Sequence, residues 1–168
     1  MSLSLYQVSV PPMLRQMKAL AAVLDKAVAY ADERKIDHGA LLHARLYPDM
    51  YHFIRQIQAV TDMAKGGAAR LANVEVPTMA DDESSIADLK ARLARTIAFL
   101  EALKPAQFEG REDAELQIPL GRETRAMKAI DYFLGFVLPN FYFHSATAYG
   151  ILRHNGVPIG KRDFIGRL

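Results

Sequence analysis

Four long stretches of this chain repeat apolar residues every three or four positions, and this period constrains the fold more than any other feature. In the first stretch Met13, Met17 and Leu20 recur at these steps, which places their side chains on one face of an α-helix. The stretches span about residues 10–35, 48–71, 84–104 and 127–154. Four amphipathic helices with two long connections predict an all-α four-helix bundle.

The beginnings of the first two helices carry recognisable signals. Ser9 is predicted to cap the first helix, with Pro11 and Pro12 in its first turn, where a missing N–H costs nothing. Residues 2–8 are expected to form a short helical lead-in. The second helix is predicted to open at Pro48-Asp49, since proline suits the first turn and a carboxylate suits the positive end of the helix dipole.

The other boundaries follow the same logic. Ser85 and Asp88 form a variant of the capping box at the start of the third helix, and Pro105 ends that helix. Asn155-Gly156 marks the end of the fourth helix. Pro139 lies inside the fourth helix, where it is predicted to kink the helix or leave a carbonyl without a partner.

The connections are predicted to hold little regular structure. Residues 39–44 permit a single helical turn. The alternating segment 115–120 predicts one strand of a short hairpin near 115–125, with Pro119 confining it to an edge. The tail, residues 157–168, contains Ile159, Phe164 and Ile165, and is expected to be an ordered strap that buries them.

Composition excludes several classes of protein. The 168 residues, 51% hydrophobic and 24% charged, predict a single globular domain spanning residues 1–168. A net charge of +2 argues against a nucleic-acid-binding protein. The chain has no cysteine, secretory signal or membrane-length apolar run, so no disulfide, thiolate metal site or membrane span is expected, and a cytoplasmic location is favoured.

Two polar residues interrupt the apolar stripe of the fourth helix. Asn140 and His144 lie four residues apart and hence on one helix face. Burying either side chain without a partner costs about 1 to 3 kcal/mol, so something must satisfy them. They either form part of a binding site or simply bond each other, buried water or a carbonyl freed by Pro139. Gln56 lies at the border of the apolar stripe of the second helix.

Further polar residues could flank such a site. His52 lies one turn before Gln56 and could reach the same pocket, or it could be an ordinary surface histidine. Asp62 could pair with an arginine such as Arg153, although a solvated carboxylate is the simpler interpretation. The chain contains no His-x-x-x-His, no Glu-x-x-His and no phosphate-binding glycine loop.

The segments PDMYHFIRQIQAVTDMA, from Pro48, and LPNFYFHSATAYGILRHNGVPIGK, from Leu138, resemble an uncharacterised bacterial family of the DinB/YfiT-like superfamily. The resemblance covers essentially the whole chain and includes Tyr149. It implies a four-helix bundle, commonly a homodimer. In metal-binding members three histidines hold a divalent ion such as nickel or zinc, and several members are thiol-dependent transferases or isomerases.

The resemblance also assigns positions. The Leu152-Arg153 and Gly156 motif places the second histidine of the last helix on His144 and the first on Asn140, and the remaining histidine corresponds to Gln56. Carboxamides are weak ligands for nickel or zinc, which favour imidazole. A pocket with its metal lost or loosely held is therefore expected, lined by Gln56, Asn140 and His144 and flanked by His52, Asp62 and Tyr149.

Three functions remain open from the sequence. The first is a small-ligand-binding protein that uses the pocket. The second is an enzyme on the same scaffold, a thiol-dependent transferase or metal-dependent hydrolase, with His144 as base or ligand. The third is a dimeric interaction protein without small-molecule chemistry. The aromatic run 141–143 wraps around the fourth helix and, together with the habit of the superfamily, predicts a homodimer.

Overall fold

The computed structural model describes residues 3–166, in which four long helices form a bundle. The first half contains α1 (Leu5–Arg34), α2 (His38–Leu42), α3 (Phe53–Ala72) and α4 (Ile86–Ala102). The second half contains a 3₁₀ turn (Pro105–Phe108), β1 (Glu115–Leu120), β2 (Glu123–Lys128), α5 (Ala129–Tyr132), a π-helical turn (Phe133–Val137), α6 (Leu138–His154) and α7 (Lys161–Ile165). The predicted fold class is confirmed.

The four long helices surround one apolar core. Helix α3 packs against α4 and α6, and α1 packs against the same two helices from the other side. None of the helices within residues 3–166 combines the length and apolarity that crossing a bilayer requires. The largest apolar side chains of the core are Phe53, Phe108, Phe133, Phe141, Leu5, Met13 and Met17.

Helix α1 begins earlier than its sequence predicts. Ser4 caps it: the Ser4 hydroxyl accepts from Gln7 N, and Gln7 Oε1 accepts from Ser4 N at 3.0 Å. The predicted cap, Ser9, is instead buried inside the helix and donates to Leu5 O at 2.6 Å. The lead-in and the helix are therefore continuous, and Pro11-Pro12 lies in the helix interior, not in its first turn.

Helix α3 begins later than predicted, at Phe53. The segment from Pro48 to His52 is a loop, because the Arg45 guanidinium donates to Pro48 O at 3.1 Å and to Met50 O at 3.2 Å. These bonds hold the backbone outside the helix. The cap is His52, whose Nδ1 accepts from the backbone N–H of Arg55 at 3.4 Å.

The remaining boundaries are mostly as expected. The Ser85–Asp88 capping box is present at the start of α4, and the predicted turn near residues 39–44 is α2. The hairpin is confirmed but is longer than expected, because β2 extends to Lys128. The fourth helical segment consequently starts at Ala129, and the predicted start near residue 127 falls within the strand.

The distortion predicted at Pro139 appears as a π-helical turn just before it. Leu138 N–H bonds to Phe133 O, five residues back. The turn packs against Gly67 of α3, where an added Cβ would lie 2.6 Å from Val137 Cγ1. Glycine at this position therefore allows the two helices to approach closely.

The tail returns to the surface of α1. Ile159 is buried as expected, whereas Phe164 is half-buried and Ile165 is 39% exposed, so the prediction that all three are buried is wrong for Ile165. Lys26 of α1 holds α7 through a 2.7 Å ion pair with Asp163. The last part of the predicted strap, residues 167–168, lies outside the described residues, as do residues 1–2.

A buried arginine fixes the loop between α3 and α4. Arg92 of α4 is fully buried. Its Nε donates to Thr61 Oγ1 at 2.6 Å, and its Nη2 donates to Asp62 Oδ1 at 2.8 Å. Its Nη1 donates to Ala80 O at 2.8 Å and to Glu83 Oε1 at 3.0 Å. One guanidinium group thus joins α3, α4 and the loop.

Replacing Arg92 with methionine is expected to lower the free energy of unfolding by about 3–5 kcal/mol, because the buried carboxylate of Glu83 would lose its closest cation. Urea denaturation measures the loss. Arg95→Met is the matched control: its side chain is 56% exposed and lies 3.8 Å from the same carboxylate, so its effect should be below about 1 kcal/mol. Equal effects of the two changes would contradict this role for Arg92.

Gln16 of α1 is buried, and its Nε2 has no hydrogen-bond partner within residues 3–166. Gln16→Met retains the length of the side chain and removes the unsatisfied donor. The change is expected to raise the free energy of unfolding by about 1 kcal/mol, as measured by urea denaturation. Gln117→Met, at an exposed position of β1, should have little effect. A marked loss of stability in Gln16→Met would show that the amide is bonded in solution.

Candidate functional site

Gln56 and His144 meet across the interface of α3 and α6. Gln56 is 1% exposed, and its Oε1 lies 2.8 Å from Nδ1 of the half-buried His144. The other end of the amide, Gln56 Nε2, donates to Tyr51 O at 3.1 Å. The two residues that the sequence placed on different helices therefore share one hydrogen bond.

This arrangement determines the state of the imidazole. The acceptor on Tyr51 is its backbone carbonyl oxygen, which cannot donate a hydrogen bond. The end of the Gln56 amide that faces it must therefore be the nitrogen, and the end that faces His144 must be the oxygen. An amide oxygen also only accepts, so His144 Nδ1 must carry the proton. In the neutral ring the lone pair is then on Nε2. That atom has no hydrogen-bond partner within residues 3–166 and is not sealed from solvent.

Two exposed aromatic rings flank His144. Tyr51 stacks on it with ring centroids 6.2 Å apart and an interplanar angle of 15°. Phe143 meets it edge to face, at 5.2 Å and 79°. Tyr51 is 52% exposed and Phe143 56% exposed. We call Tyr51, Phe143 and His144 the aromatic mouth.

Arg55 supplies a positive charge beside the aromatic mouth. Its Cζ lies 5.6 Å from the centroid of the Tyr51 ring, and its Nη1 donates to Gln58 Oε1 at 3.2 Å and to Asp81 Oδ2 at 2.5 Å. Burial, and secondarily the charge of Arg55, lower the pKa of His144 below its usual value. His144 is therefore a neutral imidazole at physiological pH.

Asn140 does not join the Gln56–His144 hydrogen bond. It is half-buried, and its Nδ2 donates to Phe136 O at 2.7 Å. The acceptor, Phe136 O, lies four residues before Asn140 and is not the carbonyl that the missing N–H of Pro139 would free, which is four or five residues before Pro139. The structure thus brings two of the three predicted residues together and directs the amide nitrogen of the third towards its own helix.

Of the predicted flanking residues, His52 lies closest to the aromatic mouth, because it follows Tyr51 in the chain and caps α3. It packs edge to face on His43, with ring centroids 5.6 Å apart. Burial, followed by the charge of Arg45, lowers the pKa of His52. Its Nδ1 is occupied as the helix cap, so His52 supports the loop that carries Tyr51.

Asp62 and Tyr149 face elsewhere. Asp62 pairs with Arg92 at 2.8 Å and with Lys65 at 3.2 Å. The expected pairing with an arginine is therefore present, but the partner is Arg92 and not Arg153, and the carboxylate is ion-paired and not merely solvated. Tyr149 packs edge to face on Phe164 of α7, with centroids 5.6 Å apart. Neither side chain bonds to Gln56 or His144 within the described part of the chain.

Sequence reasoning missed Tyr51, Phe143 and Arg55 as parts of the site. A helix that opens at Pro48-Asp49 would include Tyr51, whereas Tyr51 lies in the loop before α3. The aromatic run 141–143 does not indicate which ring contacts His144, and in the structure it is Phe143. Arg55 had no signal, because its relation to the Tyr51 ring depends on where α3 begins.

The residues at the superfamily's metal positions do not fit a tight site for nickel or zinc. Gln56 Oε1 and His144 Nδ1 are bonded to each other, which leaves one free imidazole nitrogen. The other two positions offer neutral amide oxygens, which these metals bind weakly. Within residues 3–166 no group of three or more His, Cys, Asp or Glu side chains is placed to hold a metal ion.

Both the fold and the sequence of this chain are similar to those of known proteins. The crystal structure of a DinB family member from Shewanella denitrificans is 38% identical and superposes with a TM-score of 0.90, covering 98% of this chain and 93% of that one. The bundle is therefore DinB-like. Residues 5–165 match the family described as a domain of unknown function, DUF1993, and the chain belongs to it. No curated protein matches.

Gln56→Glu is expected to raise the pKa of His144, because a carboxylate would replace the amide oxygen that lies 2.8 Å from Nδ1. Two-dimensional NMR of the imidazole nitrogens measures the pKa and the tautomer. Gln56→Met adds no charge and should leave the pKa low while releasing the tautomer. An unchanged pKa in Gln56→Glu would show that the hydrogen bond does not form in solution.

The lowered pKa also predicts how His144 affects stability. Because the folded-state value lies below the unfolded one, the contribution of the neutral ring is complete above about pH 6.5 and declines as the pH falls below it. His144→Gln should therefore flatten the pH dependence of unfolding below pH 6.5.

Proposed function

We propose that this protein binds a small molecule at the aromatic mouth, and that a hydrogen-bonding site has replaced the metal site of the superfamily. The observation that carries the proposal is the Gln56–His144 bond, which presents His144 Nε2 as a fixed acceptor between two exposed rings. A buried amide that orients an imidazole in this way supports a preorganised site.

The surroundings favour a neutral, planar ligand with an N–H or O–H donor. The donor would bond to His144 Nε2, and the rings of Tyr51 and Phe143 would contact the planar part. The guanidinium group of Arg55 already forms an ion pair with Asp81. We therefore expect the ligand to be uncharged and not anionic. Apolar contact with a few fixed polar groups is typical of small-molecule sites.

A thermal-shift screen of hydroxylated and N–H-bearing aromatic and heteroaromatic compounds tests this proposal. Compounds that stabilise the wild type should lose at least tenfold in affinity in His144→Ala, since the fixed acceptor is removed. Asn140→Ala is the control, because the amide nitrogen of Asn140 bonds to Phe136 O of the same helical segment, and it should retain most of the affinity. Equal binding by wild type and His144→Ala would contradict the proposal.

A second candidate function is catalysis with His144 as a general base. A neutral imidazole with a free Nε2 can accept a proton from a thiol or from water, and the lowered pKa of His144 favours this state. Conjugation of glutathione with electrophilic aromatic probes, followed spectroscopically, separates this function from simple binding. Turnover that His144→Ala abolishes would favour the enzyme.

We further propose that nickel or zinc binds weakly or not at all. Elemental analysis of protein purified without a nickel column is expected to find well under one equivalent of transition metal. If metal is present stoichiometrically, His144→Ala should remove it, since it deletes the only imidazole of the three positions.

The homodimer stays a prediction from the sequence, as do a bacterial source and a cytoplasmic location. Leu134 and Phe143, 51% and 56% exposed, provide apolar surface along the fourth helical segment. An isologous interface of standard size would bury about 800 Å² per partner. Light scattering at micromolar concentration that gives a monomer would exclude the dimer.

A further inference from the structure

A groove of about 1180 Å³ runs along α1 beside α7. None of Gln56, Asn140 and His144 lines it. The groove is shaped by the tail, since Asp163 bonds to Lys26, and a Cβ on Gly166 would lie 3.1 Å from Ala19 Cβ. Its apolar lining comes from Pro11, Leu14, Ala19, Ala22 and Ile165.

The groove concentrates positive charge. Among residues 3–166, its lining includes Arg15, Lys18, Lys26 and Arg162 against the carboxylate of Asp163, a net charge of +3, whereas the entire chain carries +2. Both lysines already have carboxylate partners, on opposite sides of the groove.

Lys18 pairs with Glu101 of α4 at 2.6 Å, and Lys26 pairs with Asp163 of α7 at 2.7 Å. The cations therefore flank the groove on both its α4 side and its α7 side. Neither Arg15 nor Arg162 forms an ion pair within residues 3–166.

We propose that this groove docks an acidic amphipathic helix of a partner protein. An apolar floor suits the apolar stripe of a helix, and cations on both edges suit carboxylates on both flanks of that stripe. The lining spans Pro11 to Lys26 on α1, which is about 22 Å at about 1.5 Å per residue. A helix of about 15 residues has the same length.

The distribution of charge favours this occupant over two others. A second copy of the chain, placed by a two-fold axis, would set the groove's +3 against an identical +3, which is repulsive. An anionic amphiphile with one head group would neutralise the cations at one point only, whereas the groove carries them along its length.

The probe is a fluorescein-labelled 16-residue helical peptide with a leucine stripe flanked by glutamates, titrated with the full chain and followed by anisotropy. A control peptide keeps the leucines and replaces the glutamates with lysines. The acidic peptide is expected to bind at least tenfold more tightly than the basic one, and its affinity should fall as salt increases.

Arg15→Glu combined with Arg162→Glu should weaken the acidic peptide at least tenfold. Arg122→Glu combined with Arg125→Glu, at exposed positions of the hairpin, makes the same change in net charge and should have little effect. Ala22→Trp, at an exposed position of α1, should block the apolar floor and weaken binding without changing any charge.

Three results would overturn the proposal. The first is that the charges do not matter: the acidic and basic peptides bind with equal affinity, or the groove and hairpin double variants lose equal affinity for the acidic peptide. The second is that sodium oleate binds in an Arg15- and Arg162-dependent way while the acidic peptide does not. The third is that sedimentation finds a dimer of the wild type that Ala22→Trp dissociates, which would make the groove an interface between copies.

Discussion

The guanidinium group of Arg92 is fully buried in α4, and the surrounding chain is arranged to supply its acceptors. Leaving such a charge unpaired would cost several kcal/mol, so Asp62 of α3 and Glu83 of the following loop must lie close to it. Asp81 of the same loop lies 3.0 Å from Arg92 Nη1 and also accepts from Arg55. Because Arg55 contacts the Tyr51 ring, the electrostatic network that anchors the loop between α3 and α4 continues to the edge of the aromatic mouth.

The Gln56–His144 bond depends on the same packing. Gln56 lies one turn inside α3, and the contact of α3 with α6 sets the distance between the amide and the imidazole. In the three-histidine arrangement that the resemblance implies, these positions would converge on a metal ion. Here the Gln56 amide holds the single imidazole in one orientation. The helices that would position metal ligands in the three-histidine arrangement therefore position a hydrogen-bond acceptor in this chain. The site is built from rigid helices, and its exposed ring Tyr51 comes from a loop that Arg45 and His52 hold in place.

Apolar periodicity was sufficient to predict the four-helix framework and to place Gln56 and His144 near the core. It failed where a side chain competes with the helix for backbone groups. Pro48-Asp49 has the residue types of a helix start, but the Arg45 guanidinium binds the carbonyls that follow. Pro11-Pro12 suggested a first turn, whereas the Ser4–Gln7 capping box starts the helix earlier. The partner of Asp62 was missed because Arg92 lies in the apolar stripe of α4, and no local pattern indicates which carboxylates will satisfy a buried arginine.

The π-helical turn between α5 and α6 adds one residue to a helical repeat. Each residue of an α-helix turns the chain by about 100°, so the extra residue rotates everything after it relative to everything before it. Before the turn, the backbone N–H groups of Ala129 and Ile130 bond to Ala114 O and Glu112 O. At its end and after it, Val137 contacts Gly67 and His144 bonds to Gln56, both on α3. Deleting one residue from Phe133–Val137 would therefore not merely shorten the helix. It would redirect the whole of α6, and the chain could keep either the bonds that hold Ala129 and Ile130 before the turn or the later contacts with Gly67 and Gln56 of α3, but not both in their present register.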